Sequence, residues 1–248
     1  MTVQLRPGVA FPDWSVVSSP SARATLIAML DAAWDRRAWQ DYTAAEDAVR
    51  RTILELYRDL GRAPSRQEIA IRSSMRSERI AKLLERLAAR DLIVLDGEAI
   101  VGAYPFTDEP TEHRLRIGER TLFAMCAIDA LGVGAMYRED VEIVSRCRQC
   151  GAPIEITTGE QGRALERTAP PESVVLAAIS YRGCAATSLC TTIAFFCGDA
   201  HSSAWRSRER FERPSFRLSI AEALEVGQAI FGPVLTPSVC EDRLETTS

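Results

Sequence analysis

The chain has 248 residues, 46% of them hydrophobic and 26% charged, which suits one large globular domain or two small ones. Those proportions exclude disorder, collagen and coiled coil as descriptions of the whole chain. A net charge of -4 excludes a general nucleic-acid coat. No apolar run reaches the ~18 residues of a membrane span. Residues 1–10 are too polar for a secretory signal, so the expected location is the cytoplasm. All seven cysteines (126, 147, 150, 184, 190, 197 and 240) lie in the second half. In a reducing compartment they read as metal ligands or catalytic thiols before disulfides.

Residues 1–20 hold three prolines and read as a loose arm. A helix is predicted over 22–36, with Leu26, Ile27, Leu30, Ala33 and Trp34 on one face and Ser19 or Ser21 as its cap. Residues 1–42 are thus expected to be an extension: a cover over the site, a self-association element or a solvated appendage. Thr43-Ala44-Ala45-Glu46 and Ser65-Arg66-Gln67-Glu68 are capping boxes opening two helices, the first closed by Gly61. A third helix is predicted from Ser77 to Arg90, with Ile80, Leu83, Leu84 and Leu87 inward. Asp96-Gly97 between apolar runs predicts a hairpin. Three helices and a hairpin over 43–108 predict a winged-helix-like unit. Arg72, Arg76, Arg79, Lys82, Arg86 and Arg90 suit DNA binding, but 11 basic against 8 acidic residues over 43–91 is a small surplus for it.

The rest, 109–248, is expected to be a cysteine-bearing α+β domain. A helix is predicted over 119–134. Strands are predicted over 140–146, 154–157, 173–180 and 188–197, with Cys190, Thr192 and Ala194 sharing one face of the last. Helices are expected over 199–210 and from the capping box Ser219-Ile220-Ala221-Glu222 to Phe231, and a frayed tail from Pro237. The fold class is α+β: an N-terminal helical winged-helix-like unit packed on mostly antiparallel or mixed strands with flanking helices.

Three cysteine segments carry chemistry. Cys126 and Asp129 stand at i and i+3 of the expected helix, a thiol beside a carboxylate in an apolar stretch. A small buried Cys beside a solvated Asp gives the same pattern. Cys147-Arg148-Gln149-Cys150-Gly151 could build half of a structural zinc site. Cys184, Cys190, Cys197 and His201 are available to complete it, but their spacings match no familiar zinc pattern. With two histidines, His113 and His201, and no G-x-S-x-G, P-loop or G-x-G-x-x-G, a histidine-based zinc hydrolase, a catalytic triad and nucleotide chemistry find no support.

Taken together, these segments resemble the organomercurial (alkylmercury) lyases. The resemblance rests on the winged-helix-like unit, on Phe-Ala-Met-Cys126-Ala-Ile-Asp129-Ala-Leu, and on Val144-Ser-Arg-Cys147 with Gly151-Ala-Pro153. It also rests on Ser-Leu-Cys190 followed by Ile-Ala-Phe-Phe196, and on 221–228. It covers about residues 43–235. It implies cleavage of a carbon–mercury bond, with Cys126 and Cys190 binding mercury and Asp129 donating the proton that releases a hydrocarbon. It implies no cofactor, Hg(II) as bound product, and delivery to cellular thiols or a mercuric reductase. Cys147 would be structural. Members often carry adjacent cysteines where this chain has Cys190-Thr191, and the first position is retained. The alternatives are a metal- or thiol-responsive winged-helix regulator and a non-catalytic metal-binding relative.

Overall fold

The chain opens on ordered structure. In the computed structural model, which describes residues 2–34, 36–209 and 214–238, β1 (Val3–Arg6) and β2 (Val9–Phe11) form an antiparallel hairpin, and a 3-10 turn leads to α1 (Pro20–Ala33). The expected loose arm is therefore a correction. Val3 and Leu5, then Val9 and Phe11, alternate with polar or small residues, a strand period that outweighs the prolines. Leu5, Val9, Phe11 and Val17 are buried, so the segment is no solvated appendage either. Ser19 caps α1 by accepting from the Ala22 N–H, and Ile27, expected inside, is exposed.

The Arg6 guanidinium fixes this segment. It donates to both oxygens of Asp47 at 3.0 and 2.9 Å and to the carbonyls of Pro233, Val234 and Thr236. Both partners of the ion pair are nearly dry, a burial tolerated because the surrounding hydrogen bonds satisfy the charges.

Next come α2 (Ala44–Leu60), α3 (Arg66–Ser73) and α4 (Ser77–Ala89). Both expected capping boxes form, and Gly61 closes α2 in the left-handed region (φ +73°). The hairpin of β3 (Ile93–Asp96) and β4 (Ala99–Ala103) follows. The basic residues of this unit are largely engaged. Arg86 and Arg90 donate to the buried Glu46 at 3.0 and 2.7 Å, and Arg72 to Asp59 at 2.6 Å. Burial alone would raise the Glu46 carboxyl. The bonds from Arg86, Arg90 and Thr43 outweigh it and hold the group at about 2.

Six further strands are β5 (Phe106–Thr107), β6 (Arg114–Ile117), β7 (Arg120–Ala124), β8 (Glu142–Arg146), β9 (Pro153–Gly159) and β10 (Ala164–Ala169). With the preceding hairpin they make an eight-stranded antiparallel sheet in the order β10-β9-β8-β6-β7-β5-β4-β3. The helix expected over 119–134 is corrected: its first part is β7, and α5 spans Ala127–Tyr137. Arg-Leu-Arg-Ile before Gly118 (φ +53°) is a hairpin signal, and pairing buries Leu115, Ile117, Leu122 and Ala124.

A second antiparallel sheet, in the order β12-β11-β13, comprises β11 (Val174–Ala178), β12 (Ile193–Phe196) and β13 (Ser215–Ser219). The strand expected from 188 is corrected as well: Cys190–Thr192 is a 3-10 turn and β12 begins only at Ile193. Helix α6 covers Asp199–Glu209, and α7 covers Ile220–Phe231 behind the expected Ser219–Glu222 capping box. Helices α5 and α7 cross at two glycines. A Cβ on Gly132 would stand 2.7 Å from the Gly227 carbonyl oxygen, and one on Gly227 2.8 Å from the Gly132 nitrogen. That approach locks α5, and with it the side chains at its N-terminus. Among the described residues no helix is long and apolar enough to cross a membrane. Most of the tail expected to fray, including Cys240, lies outside the described residues.

Candidate active site

Cys126 is the N-cap of α5 and not a residue within it. Its backbone is extended (φ -149°, ψ 178°), and its sulfur accepts the Asp129 N–H at 3.4 Å. A thiol in the capping role turns back over the first helical turn, where Asp129 stands. Cys190 opens the 3-10 turn before β12, its N–H bonded to the Ala185 carbonyl at 2.8 Å. Its thiol donates to Asp129 Oδ2 at 3.5 Å. The three ligand atoms lie within 4.8 Å of one another, in keeping with the ~4–5 Å that two ~2.3 Å metal–sulfur bonds allow. All three residues are buried.

Burial sets the electrostatics. The N-terminus of α5 and the hydrogen bonds from Cys126 and Cys190 favour an ionised Asp129. Desolvation outweighs them and raises its pKa to about 7. Burial, aided by the Asp129 charge, lifts the Cys126 thiol to about 11. Cys190 is pushed well above its ordinary value by the neighbouring Cys126 thiol, by burial and by Asp129. Near neutral pH the resting trio is two thiols and one carboxyl balanced between its forms. A soft metal displaces thiol protons on binding, and Asp129 is the base beside them.

The loop carrying Cys190 is held from below by residues the sequence pattern did not single out. Asp91, just past α4, accepts the Ala185 N–H at 2.7 Å and the Tyr104 hydroxyl proton at 2.9 Å. That hydroxyl accepts the Ala186 N–H at 2.8 Å, and the Trp34 indole donates to the Asp91 carbonyl at 3.3 Å. Asp91 sits at φ +55°, an uncommon conformation for a non-glycine residue, and that position and its burial are visible only in three dimensions.

A cleft of about 430 Å³ reaches Cys190 from outside, past Val94, Val101, Met125, Glu112 and Arg148. Cys126 and Asp129 lie behind it. His113, also on the cleft, is buried, bonds Ser145 Oγ through Nδ1 at 2.9 Å, and is held neutral by burial and by Arg148, its pKa lowered to about 3. Of the remaining cysteines, Cys147 and Cys150 sit in the turn between β8 and β9 with Cys197 and His201, and Cys184 lies 4.0 Å from the Tyr104 hydroxyl.

Residues 106–232, just over half of the chain, match the alkylmercury lyase family model. The chain is 25% identical over 164 residues to the alkylmercury lyase of Staphylococcus epidermidis, a match spanning 65% of this chain and 72% of that one. It is 26% identical over 149 residues to the alkylmercury lyase of Pseudomonas putida, covering 60% and 68%. The crystal structure of the mercury-bound form of MerB2 shares the fold, with a TM-score of 0.69 at 24% identity over 88% of this chain and 100% of the other.

Proposed function

This chain belongs to the alkylmercury lyase family, and on that premise we propose that it cleaves the carbon–mercury bond of organomercurials by protonolysis. Cys126 and Cys190 are the mercury ligands and Asp129 is the proton donor. The observation that carries this reading is one buried trio of two thiols and a carboxyl, its ligand atoms within 4.8 Å, reached by a cleft.

Cys190 faces the cleft and meets the substrate first. Its sulfur displaces the thiolate that accompanies the organomercurial, while its proton passes to the Asp129 carboxylate at Oδ2. The sulfur of Cys126 then adds to mercury, raising electron density on the metal and weakening the bond to carbon. Asp129 delivers its proton to the departing carbon as a general acid. It then takes up the Cys126 proton. A hydrocarbon leaves, and Hg(II) stays on two thiolates, its preferred soft ligands. Soluble thiols or a mercuric reductase then receive the ion. The scheme draws on no cofactor and needs reduced thiols, which suits the cytoplasm.

Residues 43–108 read as a winged-helix-like scaffold in this proposal. The pairing of Arg72, Arg86 and Arg90 with carboxylates and the absorption of the hairpin into the large sheet both weigh against a DNA-reading role. The test is to incubate the purified protein with phenylmercury or methylmercury and excess thiol and to assay benzene or methane. Release well above that of Cys126→Ser is expected. Equal release from the two proteins would sink the proposal.

A further inference from the structure

A second cluster of ligands stands apart from the trio and has no part in the chemistry above. Cys147 and Cys150 flank the turn between β8 and β9. Cys197 follows β12, and His201 lies in the first turn of α6. One ligand atom from each residue falls within 4.8 Å of every other. Cys150 Sγ and Cys197 Sγ are 3.8 Å apart, and His201 Nδ1 is 3.5 Å from Cys147 Sγ and 3.0 Å from Cys197 Sγ. The edges of a tetrahedron built on ~2.3 Å zinc–sulfur and ~2.0 Å zinc–nitrogen bonds are about 3.8 Å between sulfurs and about 3.5 Å from sulfur to nitrogen. Four independent side chains thus already approximate the corners of such a figure.

The backbone around Cys147 is shaped for a thiolate. The N–H groups of Gln149, Cys150 and Cys197 are directed at its sulfur. Gly151 (φ +75°) closes the turn, and its N–H bonds back to the Cys147 carbonyl at 2.8 Å. Amide donors around a ligating sulfur are the outer-shell support of a metal thiolate, and a buried apolar core supplies no reason for them. The spacing is C-x2-C followed by C-x3-H. The second half becomes a ligand pair because β12 stops at Phe196 and α6 starts at Asp199, bringing i and i+4 onto one side.

We propose that Cys147, Cys150, Cys197 and His201 form a tetrahedral Cys3His site that holds a structural zinc ion. Three thiolates and an imidazole match the borderline softness of zinc, and four protein ligands leave no open position, as in structural sites and unlike catalytic ones. The ion ties the β8–β9 turn to β12 and α6. Arg148, between the first two ligands, extends the tie toward the cleft: its N–H bonds the Phe195 carbonyl at 3.0 Å, and its guanidinium bonds Glu112 at 2.8 Å and the Thr191 carbonyl at 3.3 Å. The residue after Cys190 is thereby fixed from the zinc side.

The test measures metal, independently of turnover. The full chain, purified reduced and desalted after exposure to zinc, should hold about one zinc per chain, falling below about a tenth of that in Cys150→Ser/Cys197→Ser. Cys126→Ser/Cys190→Ser should keep its zinc, which separates this site from the catalytic trio. Should the first double variant not fold, the wild-type chain loaded with cobalt decides. Tetrahedral ligand-field absorption with thiolate-to-metal charge transfer is expected, unchanged in Cys126→Ser/Cys190→Ser. Zinc-free reduced protein, zinc lost with the trio's thiols, or an octahedral cobalt spectrum would each overturn the proposal.

Discussion

Two thiol clusters stand among the described residues and differ in burial and in ligand set. Cys126, Asp129 and Cys190 are all buried, offer two sulfurs and a carboxyl, and leave room for a fourth group arriving through the cleft. Cys147, Cys150, Cys197 and His201 run from buried to exposed and offer four complete ligands. A closed ligand set holds an ion in place, whereas an incomplete one leaves a coordination position for a reacting molecule. The carboxyl sharpens the contrast. In the proposed reaction it carries the proton, whereas the other cluster offers an imidazole in that place. Burial does the rest, raising Asp129 to about 7 so that it both accepts and releases a proton near neutral pH.

The contrast breaks most visibly at Asp129. Asp129→Asn should still take up one mercury on its two thiols, more slowly for want of the carboxylate base, and lose about 10²–10⁴-fold in turnover, the usual worth of a positioned general acid. A single-turnover assay that finds less than about a threefold loss would make the two clusters equivalent in kind.

The pH dependence sharpens the same point from two sides. The proposed first step needs an ionised Asp129, so kcat/KM should fall about tenfold per pH unit below about 7 and level off above it. Stability should run the other way. The folded-state pKa of Asp129 is raised, so its neutral form is favoured by folding and the contribution is lost as pH rises from about 4 to about 7. Thermal midpoints of wild type and Asp129→Asn should therefore diverge over that range, with the variant gaining on the wild type. Parallel curves would place the titration elsewhere.

Removing metal addresses the other cluster. A strong chelator should lower the thermal midpoint of wild type by roughly 4–10 °C, corresponding to ~2–3 kcal/mol in a chain of this size. It should leave Cys150→Ser/Cys197→Ser unmoved. The smallest expected effect is at the loop support. Tyr104→Phe removes a donor from the buried Asp91 and the acceptor of the half-buried Ala186 N–H and should cost about 1–3 kcal/mol of stability, with a loss of turnover at unchanged mercury stoichiometry. A fully active and equally stable variant would show that Cys190 is positioned without it.

Local signals were legible in the sequence, and long-range ones were not. The capping boxes at Thr43, Ser65 and Ser219 each depend on four consecutive residues, and each forms. The Cys126–Asp129 pair was legible by spacing, though its geometry depends on the helix starting one residue after Cys126. The turn at Cys190 was hidden because Thr191, Thr192 and Ile193 read as strand. The Thr192 hydroxyl instead donates to Leu189 at 2.8 Å and to Ala178 at 2.6 Å, and the second bond exists only after β11 is in place. The ordered N-terminal segment was missed because its anchors, Asp47 and 233–236, are remote in sequence. For the second half of the Cys3His cluster the sequence offered four candidates, and it could not single out Cys197 and His201 because they stand 47 residues after Cys150 and 54 after Cys147.

The most direct test of the central claim is one turnover in heavy water. Reduced protein equilibrated in D2O and mixed with one equivalent of phenylmercury, without added thiol, should release one equivalent of singly deuterated benzene. One Hg(II) should remain on the protein, protecting Cys126 and Cys190 from alkylation. Benzene release undiminished in Cys190→Ser, or Hg(II) retained with both thiols still reactive, would contradict the assignment of Cys126, Asp129 and Cys190 as the reacting site.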